Sequence, residues 1–247
     1  MLLSALLTLS TASVPDGVVQ KVASRKVFFG HQSVGGNILD GVNDVAGGQL
    51  TLIEGRAPEL FSKPALVHTL IGKNEAPREK IADFEKALDA LNGAPDIALY
   101  KFCYIDFDAS TDADTLFDEY LASHARLKAK YPNVTLVHVT VPLTVVQSGV
   151  KAWLKQKLQN QAPWGSRENV VRHRFNTLMR TKLQGQPLFD LAALESTRAD
   201  GTASTAEVDG KLVPALVPEF SDDGQHLNAA GRRRVAEALL TFLAGLP

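Results

Sequence analysis

Cysteine is nearly absent from this chain: Cys103 is the only one in 247 residues. No intrachain disulfide can form and no cysteine cluster or zinc ribbon exists, which leaves the redox compartment open. Charge of one sign is not in excess either, since 26 Lys and Arg face 27 Asp and Glu for a net −1. That balance offers no electrostatic footprint for nucleic acid or an anionic membrane. The basic run Arg232–Arg234 fits the solvated face of a helix. No apolar run is long enough to span a bilayer. The most apolar stretch is residues 1–13, with Leu2, Leu3, Ala5, Leu6, Leu7 and Leu9 ahead of small residues and Val14-Pro15. It reads as a secretory signal without the usual basic start, so export to the periplasm or beyond is expected. An amphipathic first helix or a misplaced start codon is the alternative. No repeat, low-complexity tract or Pro-, Gly- or Ser-rich linker divides the remainder, and residues 14–247 are expected to form one domain with no integral membrane segment.

What is present is alternation. Apolar runs at 26–29, 49–53, 96–102, 134–139 and 187–190 read as strands. Between them, helical spacing over 36–45, 77–91, 112–130 and 168–183, and again from about Asn228 to the end, places a helix after each strand. Asn228 is a natural N-cap for the last one, and Gly47-Gly48 closes the first. The stretch 54–76, with Pro58 and Pro64, reads as a long loop on one edge. Residues 142–160 read as a second irregular stretch, with a short helix around Val150 to Leu158. No Asn-Gly-type hairpin joins paired strands. Strand and helix alternating five times predict an α/β domain: a five-stranded, mostly parallel, flavodoxin-like sheet covered by helices on both faces.

In such a sheet the C-terminal strand ends share one rim, and ligands bind there. The first end delivers Gly30-His31-Gln32-Ser33, the second Glu54-Gly55, the third Cys103 to Asp106, and the last loop delivers Asp223 and His226. A serine needs a base to lose its proton, and imidazole suits that work near neutrality. Of the six histidines, His226 is the best placed. Asp223, three residues earlier, can hold the ring so that Nε2 is left for Ser33. Asp222 is the other carboxylate that could do so, and either could instead cap the last helix.

Ser33 in a strand-to-helix turn and Asp223-Gly224-Gln225-His226-Leu227-Asn228 before the final helix resemble the first and last motif blocks of the SGNH/GDSL hydrolase superfamily. The resemblance implies a three-layer α/β/α sandwich and a serine esterase, lipase, deacetylase or thioesterase, with acyl transfer in some relatives. It implies Ser33 as nucleophile, His226 as base and Asp223 as the acid that orients it. The first block departs from Gly-Asp-Ser: a gapless match would put Gln32 at the nucleophile position, and Ser33 fits only if the turn is one residue longer. The third block, Gly-x-Asn-Asp in the family, is replaced by Cys103-Tyr104-Ile105-Asp106, which lacks the asparagine that donates to the oxyanion. Gly55 stands where the second block's glycine is expected.

The oxyanion could draw on N–H groups of Ser33 and its neighbours at the helix start, on Gly55 and on His31. Asp106 is either a site residue or a loop-bonding carboxylate, and Cys103 either a pocket wall or a nucleophile. His124, His138 and His173 read as structural. The expectation is a serine hydrolase that cleaves a carboxylic ester through an acyl-enzyme, such as an O-acetyl group on a carbohydrate, without cofactor or metal. Its partners would be small-molecule or glycan esters. The rivals are a glycan- or peptide-binding domain without turnover, an acyltransferase, and a metal-dependent hydrolase built on His31, Asp106, Asp223 and His226.

Overall fold

The computed structural model describes residues 14–15, 17–147 and 162–247. The leader segment 1–13 and the short helix expected around 150–158 lie outside the described residues. A helical turn, α1 (Val18–Ala23), leads into β1 (Lys26–His31) and then α2 (Ser33–Ala46). β2 (Leu52–Glu54), β3 (Ala65–Leu70), α3 (Pro77–Ala90) and β4 (Ile97–Tyr100) follow. The chain continues through α4 (Ala113–Lys130), β5 (Thr135–Val139), α5 (Ser166–Lys182), β6 (Leu188–Phe189), α6 (Leu191–Glu195), the pair β7 (Thr205–Val208) and β8 (Lys211–Pro214), and α7 (Ala229–Ala244).

The central sheet has six strands in the order β2-β3-β1-β4-β5-β6, every pair parallel. Period-two alternation divides its side chains between two buried layers. Val27, Phe29, Leu99 and Val137 face α1, α2 and α7, while Phe28, Val67, Ala98 and Tyr100 face α3, α4 and α5. The result is the α/β/α sandwich expected, with one strand more.

The extra strand is β3, inside the stretch read as an edge loop. It pairs with β1 from Lys26↔Ala65 to His31↔Leu70 and so lies within the sheet. Pro58 opens a 3₁₀ turn, Pro58–Phe61, and Pro64 immediately precedes β3. The prolines bracket the strand rather than interrupt it, a position that costs no ladder bond. The expectation that no hairpin occurs is also overturned. β7 and β8 pair antiparallel across Asp209 and Gly210, both at positive φ (50° and 76°), the pattern of a type I′ turn.

This strand order sets the site. From β1 the chain runs out to β2, returns to β3 beside β1, and only then crosses to β4 on the other side. The connections therefore diverge at the C-terminal end of β1, the topological switch point where open α/β sheets hold ligands. α2 leaves that point and packs closely on α7: a Cβ on Gly41 would stand 2.4 Å from the Arg232 carbonyl oxygen and 3.0 Å from Ala236 Cβ. No described helix is long and apolar enough to cross a membrane. Gly41→Ala is expected to destabilise the fold by about 1–3 kcal/mol through overpacking, read as a lower urea midpoint; an unchanged midpoint would contradict this packing.

Candidate active site

Ser33 is the first residue of α2, and Gln32, in extended backbone (φ −136°, ψ −157°), is its N-cap residue. The Gln32 amide donates to the carbonyls of Ile71 and Gly72, both at 2.9 Å, and is thereby tied toward the end of β3. Of the two residues the alignments offer, Ser33 is the one within reach of His226, while the Gln32 side chain is committed to β3. The helix begins three residues earlier than the spacing suggested. Gly35 and Gly36 are ordinary helical residues, and Gly35 serves by its size: a Cβ there would fall 2.2 Å from His31 Cβ.

His226 arrives from the loop before α7, whose first turn Asn228 caps by accepting from the N–H groups of Ala230 and Gly231. The imidazole Nε2 lies 3.2 Å from Ser33 Oγ, and Nδ1 lies 2.7 Å from Asp223 Oδ2. With Nδ1–H donating to the carboxylate, Nε2 is left to accept from the serine hydroxyl. The other Asp223 oxygen accepts from the backbone N–H groups of Gln225 and His226, both at 2.8 Å, and from Ser221 Oγ at 3.2 Å. Desolvation works against the Asp223 charge, yet these donors and the His226 ring outweigh it and hold the carboxyl well below the usual carboxylate range. Asp222 accepts from the Asn228 amide instead, so Asp223 is the carboxylate on the imidazole. The Tyr104 ring stands edge-on to His226, centroids 5.7 Å apart at 82°.

The remaining candidates do not join this group. His31 is buried and turned toward β3, its Nδ1 donating to the Gln32 carbonyl at 3.0 Å and its Nε2 facing His68 Nδ1 at 3.1 Å. Both ring nitrogens are engaged, so it offers the oxyanion no donor. Gly55 N–H is donated to the His68 carbonyl at 2.9 Å in the β2–β3 ladder and is likewise committed. Asp106 is the loop-bonding carboxylate: wholly buried, it pairs with Lys80 at 2.5 Å and accepts from the N–H groups of Cys103 at 2.6 Å and Glu75 at 3.0 Å. Among the described residues no three His, Cys, Asp or Glu side chains come together as metal ligands, and the four weighed for a metal are split between these separate clusters. The first turn of α2 retains its N–H groups: Gln32 provides no side-chain cap, and its carbonyl is taken by Gly36 N–H at 3.1 Å.

Beside the Ser33, His226 and Asp223 side chains lies a cavity of about 800 Å³ lined by Tyr104, Ile105, Trp164, Glu168, Arg172 and Gln225, among others. Arg172 was not singled out from sequence. Its Nε donates to the Tyr104 carbonyl at 2.9 Å and its Nη1 to Thr144 Oγ1 at 3.0 Å and Asn169 Oδ1 at 2.7 Å, holding Tyr104 against His226. A signal existed: Asn169, Arg172 and Asn176 fall on the inward stripe of α5, where apolar residues are the rule.

The six-stranded parallel sheet between two helical layers, with a serine at the start of the first major helix and Asp-x-x-His before the last, is an SGNH/GDSL-hydrolase-like fold. No family model and no curated protein matches the sequence. Among solved structures the chain is similar to a Streptococcus pneumonia protein named for platelet activating factor, at 15% identity over 93% of this chain and 92% of that one, TM-score 0.50. It also aligns with the lipase/acylhydrolase from Enterococcus faecalis (14% identity, 90% and 96% covered, TM-score 0.48). A third alignment is with a catalytic mutant of an acetylxylan esterase from Geobacillus stearothermophilus (13% identity, 90% and 94% covered, TM-score 0.42). At these identities the likeness is one of fold.

Burial lowers the His31 imidazole to about 4 and that of His124 to about 3. The unfolded chain, titrating near 6.5, therefore binds protons at these two rings that the native state refuses, and their contribution to stability falls as pH drops below about 6.5, while the native Glu195 carboxyl, pushed up to about 8 by burial, takes up a proton and works the other way. Between pH 7 and pH 5 each of the two is expected to remove roughly 2 kcal/mol. Urea midpoints at the two pH values, measured in a Glu195→Gln background that removes the opposing carboxyl, check this, and equal midpoints there would contradict it.

Proposed function

We propose that this chain is a serine esterase acting through an acyl-enzyme. The observation that carries the reading is the pair of distances around His226, 3.2 Å to Ser33 Oγ and 2.7 Å to Asp223 Oδ2. Ser33 Oγ attacks the ester carbonyl carbon while His226 Nε2 takes the hydroxyl proton, and the carbonyl electron pair moves onto oxygen. The N–H groups of the first turn of α2, at the positive end of the helix dipole, stabilise that oxyanion. As it collapses the bond to the alcohol oxygen breaks, and His226 returns the proton to the departing alcohol. Water then repeats the sequence on the acyl-enzyme and releases the acid and free Ser33.

The cavity supports a polar alcohol portion. The exposed Trp164 ring, the Tyr104 ring, the Arg172 guanidinium and the carboxylates of Glu168, Asp108 and Asp112 offer stacking faces, donors and acceptors together. That mixture suits a hydroxylated ring, so an O-acetyl group on a carbohydrate is the substrate proposed. Export fits the apolar residues 1–13, with residues 14–247 as one catalytic domain. A binding domain without turnover is the second reading, favoured by the commitment of His31 and Gly55 to other partners.

Incubation with a fluorophosphonate probe, followed by peptide mass spectrometry, is expected to find the label on Ser33 and none in His226→Ala. Hydrolysis of an aryl acetate should fall about a thousandfold or more in Ser33→Ala. Folded protein that neither labels nor hydrolyses would favour the binding domain.

A further inference from the structure

Among the described residues two lysines are completely buried, Lys80 and Lys101, and they are provided for in opposite ways. Lys80 meets the Asp106 carboxylate at 2.5 Å. Lys101 meets no carboxylate at ion-pair distance among the described residues. Its Nζ donates to the Phe102 carbonyl at 3.1 Å and to Cys103 Sγ at 3.4 Å. An ammonium carries three N–H groups, and a buried charge served only by a carbonyl and a thiol is costly to keep.

Its position is given by the sheet. Gly30 pairs with Tyr100 across β1 and β4, and Lys101 N–H donates to the Gly30 carbonyl at 3.3 Å. Lys101 and His31 are therefore neighbours just past the paired ends. By alternation from Leu99 and Phe29 they face the layer that holds α2. That is the layer directly under the junction where Ser33 starts its helix. The buried acid on which Lys101 acts, Glu195 at the end of α6, does not offset the charge near neutral pH. Its own burial pushes its carboxyl up to about 8, against the Leu143 N–H it accepts and the pull of Lys101 and Arg172.

We propose that Lys101 is a positioning residue for the oxyanion. Its positive charge, set by the sheet register next to the end of β1 from which α2 starts, reinforces the first-turn N–H groups as negative charge develops on the substrate carbonyl oxygen, in place of the side-chain donor that Cys103–Asp106 lacks. The inference rests on the reading of Ser33 as nucleophile. Interactions aimed at charge that exists only in the transition state raise kcat and leave ground-state binding alone. A lysine that merely pins residues 101–103 would not separate the two.

The test compares full-length wild type with Lys101→Met and Lys101→Arg in ester hydrolysis and in inhibition by phenylboronic acid, which forms an anionic tetrahedral adduct with a serine hydroxyl. Lys101→Met is expected to lose about tenfold or more in kcat and a similar factor in boronic acid affinity, with KM within about twofold. Lys101→Arg, which keeps the charge, should recover most of both. If Lys101→Met does not fold, Lys101→Gln takes its place against Lys101→Arg. A folded neutral variant with kcat and boronic acid affinity within twofold of wild type overturns the proposal, as does an arginine variant that loses as much as the neutral one. Wild-type protein inert to ester, fluorophosphonate and boronic acid alike overturns the esterase reading, and this proposal with it.

Discussion

Two hydrogen bonds from the Gln32 side chain to the carbonyls of Ile71 and Gly72 anchor the strand-to-helix junction on which the candidate site is built. They join the exit of β1 to the exit of β3, and that bridge turns the backbone so that the next residue opens α2. Ser33, the residue after this bridge, is the one whose Oγ stands 3.2 Å from His226 Nε2. The residue that breaks the family's opening pattern is thus also the one that keeps the serine in register. His31 acts in the same direction from beneath, its Nδ1 on the Gln32 carbonyl and its ring filling the space that Gly35 leaves.

Around this junction several buried polar groups have specific partners. Asp106 and Lys80 cancel one another and pin the loop after β4, while Arg172 holds the neighbouring Tyr104 by its carbonyl. The rim is therefore rigid from below and open above, where His226 and Asp223 are 38% and 51% exposed. Ser33 is exposed to solvent, so under the esterase reading proposed above a substrate reaches it from outside while packing beneath holds the geometry of the group.

Residues whose partners are close in sequence, or whose role follows from a strand end, were legible. Asp223 and His226 share one turn, and Ser33 follows an apolar run into helical spacing. The α/β layering followed from alternation alone. What escaped were properties of pairing across distance. Ala65–Leu70 becomes a strand because β1 and β2 supply ladders on both sides, and the prolines before it gave the opposite impression. The Asp209-Gly210 turn was readable in principle, as a dipeptide suited to two positive φ values. His31, Gly55 and Asp106 stood at the right strand ends, yet their hydrogen bonds go to His68 and Lys80, partners 13 to 37 residues away. Position on the rim is visible in sequence, but the direction a side chain takes from it is not.

Ser33 is proposed as the reacting group, with its oxyanion at the first turn of α2. A crystal structure of the protein after reaction with a phosphonate ester tests this most directly. The account predicts phosphorus bonded to Ser33 Oγ, its oxygen directed at the N–H groups that open α2, and His226 Nε2 still at hydrogen-bond distance. Phosphorus on another residue, or on Ser33 with its oxygen turned away from that helix, would contradict it.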